Sequence, residues 1–461
     1  MQQNIYSILL YSLCALIIYY IFPKKNRSII LFVESLIFYA ICDWKFLVLI
    51  LAEIVISYFF VKKINKKKAI ICVFIIVIFL CIFKYFNFFI DCFSLSYAHI
   101  ILPLGISYFS FKIISYILDV YSKKRDFEPS FINYAVYVLF FPQLICGPIV
   151  RSTTITEQIK NGLSFDSDKV GKGIVNIVYG LFMKTVIADR CGGYVNLIFN
   201  NPDDYPSLAL LLALCLYAIQ LYCDFAGYSL IAQGLTNCFG FDCISNFKRP
   251  YLSVDIKDFW RRWHISLSSW LRDYIYIPLG GSRCKTWKIW RNVFITFIVC
   301  GIWHGSNLHF IFWGAYHGLL NNLTPRNKKR GKVSSFVMWF ITLMLVLFGW
   351  LLFRADSVTF VINFIKRIIF NFSVSYSSIT GTILPFTGDN TAIAYALTLF
   401  FMIGLLFIKE ICDENREKKL AKDKEEISIS SKYTLFWISL FFILTVLFGI
   451  TGTSNFLYAN F

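Results

Sequence analysis

The chain has 461 residues and a formal net charge of +18; it is 57% hydrophobic, 19% aromatic and only 16% charged, with 49 phenylalanines. That balance excludes an ordinary soluble domain, which carries more charge and far less Phe. The basic excess falls mostly in short loops between apolar runs, with no zinc-finger spacing and no separate basic domain, so no nucleic-acid partner is expected.

In chain order, the apolar runs predict membrane spans at roughly 5–22, 29–44, 46–61, 69–90, 100–120, 172–190, 206–232, 333–354, 390–408 and 433–451. Ile5–Phe22, Phe336–Phe353 and Thr391–Ile408 each run 18 residues without a charge, about the length that crosses a hydrocarbon core. The first run has no basic segment before it and no small-x-small cleavage site after it, so it reads as a retained span rather than a signal peptide. Basic connectors follow at 24–27, Lys62–Lys68, Ser122–Arg125, Asn327–Lys332 and Lys409–Lys432. Placed on the cytoplasmic side, they make the first five spans and the last three alternate, with both termini outside.

The middle of the chain breaks this regularity. Gly240–Arg291 is basic yet rich in Trp, Tyr and Leu, and 131–150 holds Pro142, Gly147 and Pro148, which suit a plain lipid-facing helix poorly. Residues 292–322 are too long for one crossing and carry Gly301, His304 and Gly305 centrally. They read as two half-helices or a hairpin with His304 near the turn. Irregular backbone at membrane depth is tolerated only inside protein or along a water-filled cavity, so re-entrant elements around a cavity are expected here.

The fourteen cysteines form no CxxC pair, and six of them lie within apolar runs. They read as small packing residues in a reduced or lipid setting, with neither disulfides nor a metal expected.

Two dense polar clusters lie between the apolar spans. One runs from Asp258 through Trp260, Arg261, Arg262 and His264 to Asp273, Tyr274 and Arg283; the other is Gly301-Ile-Trp303-His304-Gly305, with His317 thirteen residues after His304. Ionisable groups inside a membrane cost several kcal/mol and mark functional sites by default. A buried histidine could deprotonate a hydroxyl for attack on an acyl thioester, with Arg, Trp N–H or Tyr hydroxyl groups stabilising the oxyanion. The Trp- and Arg-rich stretch fits a membrane-interface belt equally well. His99 and His309 read as interfacial or packing residues. No Gly-x-Ser-x-Gly elbow suggests a serine hydrolase.

At these clusters the sequence resembles the membrane-bound O-acyltransferase (MBOAT) family, in its bacterial alginate O-acetylase-like branch. The resemblance runs from about Pro103 to the C-terminus. It rests on Pro103-Leu-Gly-Ile-Ser107 with Asp119-Val-Tyr121, Phe141-Pro-Gln143 with Gly147-Pro148, and the Gln220–Ser229 stretch around Asp224. The two polar clusters and Phe353-Arg354-Ala355 complete it. It implies an all-α ring of about 10–12 transmembrane helices with re-entrant helices around a central tunnel. It also implies one integral membrane domain over 1–461, with N-terminal helices over 1–100, a catalytic core over 101–355 and C-terminal helices over 356–461. By resemblance, His304 is the catalytic base or proton shuttle and His264 its partner. Asp258, Trp260, Arg261, Arg262, Asp273, Tyr274 and Trp303 would shape substrate binding. The C-terminal Phe456-Leu-Tyr458-Ala-Asn-Phe461 is similar to the aromatic ending of related acetylases. Tyr458 is therefore a candidate acyl relay, set against the reading the residues themselves favour, an aromatic interface anchor.

The function implied is transfer of an acetyl group from cytoplasmic acetyl-CoA across a bacterial cytoplasmic membrane, for O-acetylation of a surface or exported polysaccharide. No bound cofactor is implied. The donor would be an acyl-CoA or acyl-carrier protein, anionic and suited to a basic rim. An extracytoplasmic esterase-like transferase would finish the reaction. Membrane lipids would surround the protein. The alternatives are D-alanyl transfer to teichoic acid from a carrier thioester, and, of another class, a polysaccharide or lipid transporter.

Overall fold

The computed structural model describes residues 5–93, 99–144, 147–325, 331–423 and 431–450. Among these, regular structure is helical throughout and no strand occurs. The chain runs α1 (Ile5–Ile21), α2 (Arg27–Asp43), α3 (Leu47–Val61), α4 (Lys66–Cys92), α5 (Ile106–Tyr121), α6 (Phe131–Leu139), α7 (Phe141–Leu144), α8 (Ser152–Asn161), α9 (Ser167–Leu181), α10 (Asp189–Asn200), α11 (Ser207–Cys238), α12 (Ile256–Arg262), α13 (Ile265–Leu271), α14 (Thr286–His304), α15 (Leu308–Leu323), α16 (Lys332–Arg354), α17 (Val358–Phe370), α18 (Tyr376–Ile383), α19 (Ala392–Asp423) and α20 (Lys432–Phe448). A π-helical stretch, Phe182–Ala188, joins α9 to α10 without a break.

Six stretches among the described residues are long and apolar enough to cross a membrane: Lys24–Val61, Lys66–Cys92, Ser167–Asn200, Ser207–Cys238, Val333–Arg354 and Ala392–Leu420. The first contains both α2 and α3, and α1 and α20 are shorter apolar helices. The expected span at 100–120 differs. Its helix starts only at Ile106, and all but Leu118 and Tyr121 of α5 are buried by protein. It is a central post rather than a lipid-facing wall. Gly105 caps it with φ +71°, and a Cβ there would lie 2.6 Å from the Leu144 carbonyl. Only glycine meets both demands. The 131–150 region behaves as its Pro and Gly residues foretold: α6 and α7 are short, broken and almost wholly buried.

Close helix contacts use small residues. A Cβ on Gly173 or Gly234 would come within 2.6 Å of the other's carbonyl oxygen, and the same reciprocity joins Gly180 to Gly227 at 2.6 and 2.8 Å. Backbones meet here without intervening side chains, which is how membrane helices gain contact when lipid supplies no hydrophobic drive.

Among the described residues, several basic side chains tie helix ends and loops together on one side. Arg27 donates to the Leu163 carbonyl, Arg125 to Thr156 and Lys169 to Asp242, while Arg249 and Arg262 pair with Glu414. The opposite side is joined by Arg367 to Asp203 and Leu104 to Asp43.

Candidate active site at the turn of a helical hairpin

Helix α14 has 19 residues and so rises about 28 Å. It is no half-helix: it leaves the basic side and ends on His304, its last residue. Gly305 is extended, and α15 returns from Leu308. Glycines hold the hairpin shut. A Cβ on Gly301 would sit 2.1 Å from the Phe310 carbonyl oxygen, one on Gly314 2.4 Å from that of Phe297, and one on Gly305 2.0 Å from the Phe310 ring. The glycine after His304 is thus required by packing at the turn.

The His304 side chain is 2% exposed and ringed by aromatics: Trp313 at 4.9 Å, Trp303 at 5.0 Å and Phe353 at 5.3 Å between ring centroids. Lys84, His264 and His317 lie within electrostatic reach of it.

His264 comes from the corner between α12 and α13. It is 1% exposed and has φ +42°, a left-handed conformation that costs a non-glycine residue roughly 1–3 kcal/mol. The corner is over-determined by its hydrogen bonds. Ile265 N–H donates to the Asn246 carbonyl at 2.9 Å, Ser266 N–H to the Asn246 side chain at 3.2 Å and Ser268 N–H to the His264 carbonyl at 2.9 Å. Its ring meets Phe225 edge-on at 4.7 Å. Trp303 stands between the two histidines, 6.1 Å from His264 and 5.0 Å from His304. Spacing did not separate His317 from the other two histidines, the family resemblance gave it no role, and the structure places it in the same cage. It is fully buried, with Trp313 at 4.9 Å and Trp260 at 5.1 Å. Both His317 nitrogens and the indole N–H groups of Trp260, Trp303 and Trp313 are buried without a hydrogen-bond partner among the described residues. Such groups are uncommon in folded proteins; others occur elsewhere in this one, and of these four side chains His317, Trp260 and Trp313 adjoin one another.

A cavity of about 500 Å³ opens beside this cage. Lys257, Arg261 and Arg272 line it with positive charge, while Trp260, Phe297 and Cys300 give it apolar surface. Cys300 precedes His304 by one helical turn on the same face of α14. Of the residues expected to bind substrate, the structure brings Trp260, Arg261 and Trp303 to the cavity or the cage. The others serve as struts. Arg262 pairs with Asp258 and Glu414, both at 3.1 Å. Burial opposes its charge, but the hydrogen bonds to Glu414 and Asp258 outweigh burial and hold its pKa above the ordinary guanidinium value. Asp273 pairs with Arg151 at 3.2 Å, and the Tyr274 hydroxyl donates to Asp119 at 2.9 Å. Tyr458 lies outside the described residues. Among those described, no cluster of His, Cys, Asp or Glu could hold a metal ion.

Sequence reading passed over Trp313, whose ring lies 4.9 Å from both His304 and His317. It also passed over Lys84, which donates to the Trp303 carbonyl. A signal for Lys84 was present: it is the lone charge between Lys68 and Asp91 in an apolar run.

Residues 106–324, which hold both histidines and the cavity, match the model of the membrane-bound O-acyltransferase family. "Probable alginate O-acetylase AlgI" of Pseudomonas aeruginosa is 36% identical over 74% of this chain and 69% of its own length.

The chain belongs to the membrane-bound O-acyltransferase family.

The peptidoglycan O-acetyltransferase of Helicobacter pylori is 31% identical over 96% of this chain and 92% of its own. The teichoic acid D-alanyltransferase of Bacillus subtilis is 31% identical over 54% and 68%. This MBOAT chain is a multi-pass membrane O-acyltransferase of the alginate O-acetylase-like branch, acting on polysaccharide. The transporter reading is set aside.

Proposed function

We propose that this enzyme takes an acetyl group from acetyl-CoA on the basic, cytoplasmic side of a bacterial cytoplasmic membrane and delivers it outward for O-acetylation of a cell-surface or exported polysaccharide. The observation that carries the reading is the cationic cavity whose wall includes Cys300, one turn from His304. Lys257, Arg261 and Arg272 suit a donor bearing phosphates, and the apolar wall suits its thioester arm.

His304 Nδ1 or Nε2 accepts the proton of an acceptor hydroxyl as its oxygen attacks the thioester carbonyl. The C–S bond breaks, the thiolate leaves and the proton passes to it, giving an ester and free CoA thiol. Indole N–H groups of the cage are placed to stabilise the oxyanion. A central tunnel would admit the acceptor from the far side.

The acetyl reading is preferred to D-alanyl because the acetylase relatives align with 74% and 96% of the chain, against 54% for the D-alanyltransferase. The partner completing transfer is an extracytoplasmic esterase-like enzyme. Tyr458 is its acyl relay: α20 ends on the outer side, where Arg190 donates to the Phe448 carbonyl at 2.8 Å. Reconstituted protein given labelled acetyl-CoA tests the reaction. Release of CoA that depends on His304 supports it; release that survives His304→Ala overturns it. Tyr458→Phe with unchanged acylation of the surface polymer would remove the relay.

A further inference from the structure

We propose that Lys84 and Tyr85, on α4, are positioning residues for His304, fixing the end of the helix that presents its imidazole. The inference rests on the reading of His304 as the base. It concerns a helix outside the 106–324 segment that matches the family model.

The argument begins with the carbonyls of α14. The last four C=O groups of a helix have no partner within it. Here the Gly301 carbonyl accepts weakly from Gly305 N–H at 3.4 Å. The Ile302 and Trp303 carbonyls would need donors from a next turn that the extended Gly305 forbids. Two successive α4 residues supply them. The Tyr85 hydroxyl donates to the Ile302 carbonyl and the Lys84 ammonium to the Trp303 carbonyl. The Lys84 ammonium also lies 5.3 Å from the centroid of the Trp303 ring, the ring that separates the two histidines. A cation at a helix C-terminus opposes the negative end of the dipole, and an ammonium over indole is attracted to its π face. A single side chain therefore fixes the backbone before His304 and the orientation of Trp303 together.

Chain chemistry explains why it is a lysine. The end of α14 is at membrane depth, where an unpaired carbonyl is costly. A long stem can cross from α4 to α14, and its head brings both a donor and a charge. Tyr85 repeats the donor without the charge. Neither residue reaches reacting atoms directly. Their role is to hold the imidazole where attack is in line.

The test uses full-length protein reconstituted in liposomes, with acetyl-CoA as donor and CoA release as readout. Lys84→Met keeps the stem and removes donor and charge. It should lower kcat by about 10- to 100-fold, the cost of misplacing a reacting group by an ångström, with KM for acetyl-CoA within about twofold of wild type, because the donor cavity is untouched. Lys84→Arg should restore most of kcat. Tyr85→Phe should lower kcat less than Lys84→Met. Wild-type kcat in Lys84→Met, or equal loss in Lys84→Met and Lys84→Arg, would overturn the inference. If Lys84→Met fails to fold, Tyr85→Phe decides, since it removes one oxygen: unchanged kcat overturns the inference and a selective fall in kcat upholds it. His304→Ala in the same series separates the two readings. Activity retained there sinks the active-site assignment itself, whereas an inactive His304→Ala beside a normal Lys84→Met sinks only the positioning role.

Discussion

The two motif-dense corners of this protein solve the burial of polar groups in opposite ways. At the Asp258–Arg262 corner, charge meets charge. Glu414 on α19 receives Arg249 at 2.9 Å and Arg262 at 3.1 Å, and Glu417 receives Arg249 at 2.6 Å. At the Trp303–His304 turn, imidazole meets indole, and the buried Trp303 and Trp313 N–H groups have no hydrogen-bond partner among the described residues. Both corners looked alike in sequence, since each concentrates ionisable and aromatic residues. Partners tell them apart: a paired cation is a strut, whereas clustered unpaired donors beside a histidine are positioned for a group the fold does not itself supply.

The largest effect that would sharpen this contrast is at His304. Replacement by alanine should reduce CoA release by about 10²- to 10⁴-fold, the range for loss of a general acid–base, while the thermal midpoint in detergent stays near wild type. A large fall in that midpoint with modest loss of turnover would make His304 a packing residue and erase the difference between the corners.

Next come the glycines of the hairpin. Gly301→Ala places a methyl 2.1 Å from the Phe310 carbonyl oxygen, and such overpacking costs about 1–3 kcal/mol. Gly404→Ala is the control, because its Cβ meets nothing within 4 Å. Thermal unfolding of the two variants should separate clearly, with Gly301→Ala lower. Equal midpoints would mean that α14 and α15 can spread without penalty.

These glycines show how much of the molecule was legible beforehand. Long uncharged runs announced their helices because a stretch that is apolar all round has few other fates. The 292–322 segment announced a break at His304 through Gly301 and Gly305. What stayed hidden was contact across sequence distance. Nothing local tells whether Ile106–Tyr121 faces lipid or protein, and the chain shows it as an apolar run in either case. Nothing local pairs Arg262 with Glu414, more than 150 residues away. Spacing could not separate His317 from the other histidines and the resemblance gave it no role, yet the return of α15 brings it beside Trp313 and Trp260. The motif resemblance singled out His264 and His304, which the structure brings to either side of Trp303, but it was silent on Lys84, which precedes the matched segment.

A smaller effect tests the strut. Glu414→Gln removes the charge shared by Arg249 and Arg262 while keeping the side-chain shape. These side chains are part-buried, 14% exposed for Glu414 and 18% for Arg262, so the loss should be about 1–2 kcal/mol in unfolding, near the low end for charged hydrogen bonds. Turnover by the folded fraction should be that of wild type. If instead kcat collapsed with stability intact, the ion-pair corner would belong to the chemistry.

The smallest effect lies one residue away and divides the Arg261–Arg262 pair. Arg261 is exposed and lines the cationic cavity, whereas Arg262 turns to Glu414. An exposed cation near a phosphate contributes about 1 kcal/mol in water-like surroundings, so Arg261→Ala should raise KM for acetyl-CoA by about two- to tenfold and leave kcat alone. The effect should fade as salt rises, since charges at a surface are screened over about 8 Å at physiological ionic strength. Arg262→Ala should do the reverse, lowering the thermal midpoint with little change in KM. Adjacent arginines on one helix turn would then report on the two corners separately: one through donor affinity, the other through the strength of the clamp that holds α12 against α19.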